Sequence, residues 1–250
     1  MEEVIQVRPF LSLIIPVYNE ASRIASTLNT VGAYLSGLGK SYEIIVVDDG
    51  SSDDTKRVLR EQLDKSSNLR IVSYEENCGK GYAVRQGVFA SRGDYVMFSD
   101  VDLSAPIDEL PKLLKAVENG YDVAIGSRAV KGSVITVHQP LYRELGGKGL
   151  NLVIRLLAVP GIHDTQCGFK LFRGDAAREI FAKCFLNGWS FDIEVLYLAR
   201  RLGYSIAEIP VKWAHSEGSK LHPLTAGIRV IKDLIRLRLH HYELGTNSSH

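Results

Sequence analysis

The sequence predicts an α/β domain with a mainly parallel sheet flanked by helices, and three observations predict it. Short, continuous apolar runs alternate with segments whose apolar residues fall at helical spacing. The polar clusters with chemical potential in the first half each follow the end of an apolar run. There is no internal repeat and no low-complexity linker across the 250 residues, so positions 1–250 read as one domain.

The elements follow in order. Leu11–Val17 is a buried-type strand ending in Pro16-Val17-Tyr18-Asn19-Glu20, and residues 21–38 carry Ile24, Leu28, Val31 and Leu35 on one helical face. Tyr42–Val47 is a second strand, closed by Asp48-Asp49-Gly50-Ser51, and Ser52-Asp53-Asp54 caps a helix containing Val58 and Leu59. Leu69–Tyr74 is a third strand, and Asn77-Cys78-Gly79-Lys80-Gly81 opens a helix to Ala90. The fourth strand lies in 95–102 and carries Asp100 and Asp102; Pro106 starts a helix to about Glu118; Tyr121–Ser127 is the fifth. Beyond it, 140–159 is apolar with spaced Arg143, Lys148 and Arg155, and 164–170 reads as a polar turn in apolar surroundings. A short helix starts at Gly174-Asp175, Phe191–Leu202 is a stronger one, Tyr204–Trp213 is a strand, 216–220 is a loop, and Thr225–Tyr242 is a closing amphipathic helix.

In parallel sheets ligands bind beyond the carboxyl ends of the strands, and the polar clusters at 16–20, 48–49, 100–102 and 126–128 all fall on that edge. The first half therefore builds one site. Its centre is Ser99-Asp100-Val101-Asp102. Alternate residues of a strand point the same way, so Asp100 and Asp102 leave the sheet edge as a pair, and two such carboxylates repel unless a cation lies between them. Mg²⁺ or Mn²⁺ fits, taking one or two carboxylates and completing its shell with substrate phosphates. The plainer alternative is a strand-end turn with solvated acids.

Plainer alternatives stand beside the other candidates too. Asp48 and Asp49 also suit a helix cap. Gly79-Lys80-Gly81 is no P-loop, since the Gly-x-x-x-x-Gly-Lys-Ser/Thr spacing is absent, and its glycines suit a tight turn. Arg128, following a buried strand, points to function because an unpaired charge there is costly. His138, His163, His215 and His222 lack ligand spacing. Asp192 and Glu194 fit either a general base or the first turn of a helix, where acids complement the dipole.

Composition excludes several classes. The chain is 45% hydrophobic and 24% charged with a net charge of +1, which argues against a nucleic-acid binder acting through bulk charge. Three cysteines without paired spacing indicate neither a disulfide framework nor a zinc site and suit a reducing, cytoplasmic setting. Neither a signal peptide nor an unbroken apolar run of membrane-spanning length is apparent.

The motifs Pro-Val-Tyr-Asn-Glu at 16–20, Val-Val-Asp-Asp-Gly-Ser at 46–51, Asn-Cys-Gly-Lys-Gly at 77–81 and Asp-Val-Asp at 100–102 resemble the inverting nucleotide-sugar glycosyltransferases of the GT-A fold. Gly-Ser-Arg at 126–128, Asp-Thr-Gln-Cys-Gly-Phe-Lys-Leu-Phe at 164–172, Trp-Ser-Phe-Asp-Ile-Glu at 189–194 and Gly-Ser-Lys-Leu at 218–221 narrow the resemblance to dolichyl-phosphate β-glucosyltransferases, relatives of the dolichyl-phosphate mannose synthases. The resemblance implies a nucleotide-sugar half at 1–128, an acceptor half at 129–222, and a terminal helix and tail at 223–250. It implies donor contacts from Pro16, Tyr18, Glu20, Asp48, Lys80, Asp100 and Asp102, with Asp48 at the base edge and Asp100 and Asp102 at the metal. Arg128 and Arg143 are implied to hold the acceptor phosphate, and Lys220 to close over the phosphates, making Asp102, Arg128, Arg143 and Lys220 the catalytic set. Ser104 stands where the mannose synthases place a metal-contacting Gln.

The expected reaction is transfer of glucose from UDP-glucose to a polyprenyl phosphate, with GDP-mannose as donor, or nucleotide-sugar binding without catalysis, as alternatives. A lipid acceptor implies a peripheral protein at the cytosolic face of a membrane. In the closing helix Arg229, Lys232, Arg236 and His240 form one stripe and Ile228, Ile231, Ile235, Leu239 and Tyr242 another, which suits either a core-packed helix or an interfacial one.

Overall fold

The computed structural model describes residues 8–137, 141–215 and 223–243. Alternate side chains of each strand feed opposite faces of one sheet. In β1 (Leu11–Val17), Leu13 and Ile15 enter a core with α1 (Ile24–Gly37), while Ile14 enters a second core with α3 (Lys80–Ala90). The inner strands β1 and β2 are thus buried on both sides, which is why they read as largely apolar runs. β2 (Tyr42–Asp49), α2 (Thr55–Leu63), β3 (Leu69–Tyr74) and β4 (Tyr95–Ser99) complete a first half of four parallel strands. A 3₁₀ turn at Ile107–Glu109 precedes α4 (Leu110–Glu118), and β5 (Val123–Ser127) follows.

The second half then enters the same sheet. After β6 (Val134–Val137) and α5 (Leu141–Leu157), β7 (Phe169–Arg173) inserts antiparallel between β4 and β5. α6 (Gly174–Lys183) and α7 (Phe191–Arg201) cover one face, and β8 (Ile206–Pro210) pairs parallel with β5. The sheet order is β3-β2-β1-β4-β7-β5-β8. β9 (Lys212–Ala214) pairs with β6 in a small second sheet, and α8 (Pro223–Leu239) packs on α5.

Three local expectations are corrected. The segment expected to form one strand over 204–213 divides at Pro210, whose missing amide hydrogen suits a strand end, and its parts serve different sheets. β7 begins inside the segment read as a turn. Its amino end pairs with the carboxyl end of β4, Phe169 opposite Ser99, so residues 164–168 arrive at the edge where the parallel strands finish. Asp100 and Asp102 lie beyond β4, in a turn with Leu103 at φ 47°. Strand alternation therefore does not orient them.

Candidate active site

The order β2-β1-β4 makes the β1–β4 junction a topological switch point, where a crevice opens at the carboxyl edge. The β1–β4 pairing ends at Ile14 and Phe98, two residues before Pro16. The loop after β1 is bound to the loop after β2: Asn19 Oδ1 accepts the Ser52 amide at 2.8 Å, and the Asn19 and Glu20 amides donate to Ser51 Oγ and Thr55 Oγ1. Tyr18 is exposed, and Glu20 pairs with Arg23 at 2.9 Å.

The two acids ending β2 divide their roles. Asp49 is consumed by structure, accepting from Tyr74 Oη, Asn77 Nδ2 and the Cys78 and Gly79 amides at 2.8–2.9 Å. It fixes the turn that starts α3, where Gly79 sits at φ 100° against the Asn187 carbonyl. Asp48 is fully buried; its Oδ1 accepts the Ser51 amide, while Oδ2 has no partner among the described residues. A buried carboxylate oxygen left unpaired costs about 1–3 kcal/mol or more, so Asp48 is suited to accept a ligand N–H.

Beyond β4, Lys80 Nζ lies 2.5 Å from Asp100 Oδ1 and above the rings of Trp189 at 4.9 Å and Phe191 at 6.0 Å. Burial works against the lysine charge, but Asp100 and Asp192 outweigh it and hold the ammonium above the ordinary lysine range. Asp102 Oδ1 accepts the Ser104 amide at 3.0 Å, and Thr27 Oγ1 bonds the Val101 carbonyl between the two acids. Both acids are partly exposed. Hard carboxylate oxygens on a partly exposed turn fit Mg²⁺ or Mn²⁺ whose shell is completed by diphosphate oxygens and water.

Behind Lys80 lies a second ion pair. Lys170 is fully buried in β7 and donates to Asp192 Oδ1 at 2.5 Å and to the Cys167 carbonyl at 2.7 Å. Burial pushes the Asp192 carboxyl up, with Lys170 and Lys80 pulling against it. Glu194, one turn-edge away, accepts from the Phe185 and Leu186 amides and from Tyr242 Oη.

At the end of β5, Arg128 forms a bidentate pair with Asp164, Nε to Oδ2 at 2.7 Å and Nη2 to Oδ1 at 2.8 Å, and its amide also donates to Oδ2. The guanidinium stacks 5.2 Å from the Trp213 ring centre. Glu208 of β8 holds the loop beneath, accepting the His163 and Asp164 amides and Ser127 Oγ. Burial pushes the Asp164 carboxyl up, but Arg128 overrides it and holds the group below the usual carboxylate range.

The family model described as Glycosyl transferase family 2 matches residues 12–181. The chain belongs to glycosyl transferase family 2. This glycosyltransferase is 38% identical over 248 residues to the dolichyl-phosphate beta-glucosyltransferase of Dictyostelium discoideum, a match covering 94% of this chain and 76% of the relative. It is 37% identical over 242 residues to the Homo sapiens dolichyl-phosphate beta-glucosyltransferase, covering 92% and 75%. Glucosyl-3-phosphoglycerate synthase from Mycobacterium tuberculosis, crystallised with Mn²⁺, uridine diphosphate and glucosyl-3-phosphoglycerate, shares the fold with a TM-score of 0.68 at 23% identity, covering 92% of this chain and 80% of that one.

Within the glycosyltransferase, Pro16, Tyr18, Glu20, Asp48, Lys80, Asp100, Asp102 and Arg128 all lie at or just beyond the carboxyl edge of the parallel strands, Lys80 at the start of α3. Lys80 and Asp100 are in direct contact. Arg143 lies in α5, with its side chain outside the described residues, and Lys220, His138 and His222 also lie outside them. Sequence reasoning missed Asp164 as the partner of Arg128, the Lys170–Asp192 pair, and Trp189 and Trp213 beside the two cations. The available signal was a lysine inside the apolar run Phe169-Lys170-Leu171-Phe172, a residue type almost never fully buried unless paired.

Proposed function

We propose that this glycosyltransferase moves glucose from UDP-glucose to a polyprenyl phosphate of the dolichyl type, with inversion at the anomeric carbon. The observation that carries the acceptor class is the commitment of the two acids ahead of the sheet edge. Asp192 is clamped by Lys170, and Glu194 is filled by two backbone amides and a tyrosine hydroxyl. Both are buried, and Glu194 has both oxygens occupied, so neither is presented to an acceptor alcohol. An acceptor that arrives already ionised, as a phosphate does, needs no general base. The named activity of the curated relatives supports glucose and a dolichyl phosphate as the pair.

In this reading residues 1–128 bind the donor and 129–222, with Arg128 at the boundary, the acceptor. Asp48 accepts the imide N–H of uracil with its unpaired oxygen, and Pro16, Tyr18 and Glu20 line the nucleoside crevice. Asp100 and Asp102 hold Mg²⁺ or Mn²⁺, which when bound offsets charge on the departing diphosphate. Lys80 adds a positive charge on the same side. Arg128, its fork held by Asp164, keeps Nη1 for the acceptor phosphate; Arg143 and Lys220 are assigned to the phosphates by the family resemblance alone. Catalysis is then positioning in line plus charge stabilisation.

Among the described residues no helix is long and apolar enough to cross a membrane. The lipid is reached from the surface. α5 exposes Leu152, Leu156 and Leu157, and the adjacent α8 exposes Ile228, Ile231, Ile235 and Leu239 beside Arg229, Lys232 and Arg236. This face is proposed to lie on the cytosolic leaflet, with its apolar side chains in the headgroup boundary and its cations on anionic lipid.

The test is UDP release from UDP-glucose with Mg²⁺ and either a short polyprenyl phosphate or the matching free polyprenol. The phosphate is expected to be glucosylated and the alcohol refused. Transfer to the alcohol at a comparable rate would require a base and would sink the reading, and preference for GDP-mannose would replace the donor.

A further inference from the structure

Glu194 and Tyr242 contact neither donor nor acceptor in the function proposed above, yet they connect the end of α8 to the active site through an unbroken set of contacts. Val230, Leu234 and Leu237 seat α8 in the main core, and the chain after it turns so that Tyr242 is buried with its hydroxyl donating to Glu194 Oε1 at 2.7 Å. Tyr242 packs against Phe185 and Tyr197, with ring centres 5.9 and 6.0 Å away. Glu194 in turn holds the segment between α6 and α7: the Phe185 amide donates to Oε1 at 3.0 Å and the Leu186 amide to Oε2 at 2.8 Å.

The other side of that segment grips the start of α3. Asn187 O accepts the Tyr82 amide at 3.2 Å, and Arg85 reaches Cys184 O at 2.7 Å and Asn187 Oδ1 at 2.8 Å. The approach is too close for side chains on α3: a Cβ on Gly81 would meet Leu186 O and Phe191 Cβ at 2.6 Å, and one on Gly79 would meet Asn187 O at 2.5 Å. Between Gly79 and Gly81 stands Lys80, and the segment ends at Trp189, whose ring lies beneath its ammonium. A shift of residues 185–188 would move both.

We infer that Tyr242, acting through Glu194, is a positioning residue for Lys80 and Trp189, and thereby ties α8 to the donor end of the site. The use of the site for UDP-glucose and the placement of α8 on a membrane rest on the function proposed above; the mechanical link does not. Dense packing makes such a link possible, because interiors this tightly filled transmit displacement rather than absorb it.

The test uses the full chain with Tyr242→Phe, which keeps the ring and removes only the hydroxyl. Three measurements are read. Hydrogen exchange is expected to speed up at the Phe185 and Leu186 amides and also at Tyr82, across the segment, with β1 unchanged. Acrylamide quenching of Trp189, read in a Trp213→Phe background, is expected to rise. With UDP-glucose and a short polyprenyl phosphate, kcat is expected to fall about 5- to 10-fold, with the KM for the lipid little changed. Faster exchange at Phe185 and Leu186 with Tyr82 exchange and Trp189 quenching unchanged would show a purely local seat and overturn the inference. If Tyr242→Phe unfolds the protein, Glu194→Gln, which keeps the shape and one acceptor oxygen, is read by the same exchange and quenching criteria. Exchange and quenching need no substrate, so failure of the donor or acceptor assignment is seen separately, as absent turnover in the unmutated protein.

Discussion

Asp100 occupies the space in which a side chain on Gly168 would stand. A Cβ at Gly168 would lie 2.1 Å from Asp100 Oδ2, and the Asp100 amide donates to the Gly168 carbonyl at 3.2 Å. The carboxylate beside Lys80 is thus placed by a glycine 68 positions further along the chain. We expect Gly168→Ala to push the Asp100 carboxylate away while the sheet survives, because the atom it strikes ends a side chain. Loss of one well-placed electrostatic contact costs on the order of 10²–10³ in rate. Turnover near that of the unmutated protein would show that Asp100 tolerates displacement.

Asp102→Ala is expected to lose transfer to a similar degree, on the order of 10²–10³, and a chelator should reproduce that loss in the unmutated protein, with Mg²⁺ or Mn²⁺ restoring it. Turnover that ignores chelation would refute the assignment of Asp100 and Asp102 to a cation.

Arg128 has two duties, and its substitutions separate them. Arg128→Ala strands the Asp164 carboxylate with only backbone donors; a fully buried pair broken on one side loses about 3–5 kcal/mol, an upper bound here because the Arg128 side chain is 27% exposed, and unfolding should shift measurably. Arg128→Lys keeps the charge without the fork and should retain part of the stability and little acceptor use. Arg143→Ala is expected to raise the KM for the lipid phosphate more than that for UDP-glucose. The reverse pattern would exchange the two halves of the site.

The Asp164 carboxyl titrates lower in the folded chain than in the unfolded one, because the adjacent Arg128 outweighs burial. Its contribution is present above the unfolded carboxylate pKa of about 3.9 and is lost as pH falls through the lower folded value. Asp164→Asn should therefore destabilise the protein near neutrality and flatten the acid side of its stability profile. A denaturant midpoint measured from pH 7 downward checks this, and parallel profiles for the two proteins would contradict it.

Vesicles containing anionic lipid should bind the protein in a salt-sensitive manner, and Arg229→Glu with Arg236→Glu should weaken binding, each cation near the surface being worth about 1 kcal/mol. Arg236 also pairs with Asp233 at 3.2 Å, so Arg229→Glu alone separates the surface effect from that pair. If the unmutated protein sediments without the vesicles at low salt, α8 is not the contact.

Much of this architecture is local information. Largely apolar runs at 11–17, 42–47, 69–74 and 95–99 indicated strands covered on both faces, because such burial admits a polar residue only where it finds a partner, as Ser12 does in Glu43 at 2.6 Å. The clustering of Pro16–Glu20, Asp48, Asp100–Asp102 and Arg128 at or just beyond strand ends followed from the same pattern. The tertiary structure alone decided which side chains meet. Asp48 and Asp49 are neighbours of one type, yet Asp49 is spent on the turn before α3 and Asp48 keeps an open oxygen, a difference set by which face of β2 each occupies. Asp164 meets Arg128, and Gly168 meets Asp100, because β7 runs antiparallel between β4 and β5 and delivers its amino end to their carboxyl edge. Apolar periodicity records that a strand is buried, not which strands flank it or in which direction it runs. Those depend on how the whole sheet closes its core, and the charged pairs of the site depend on them.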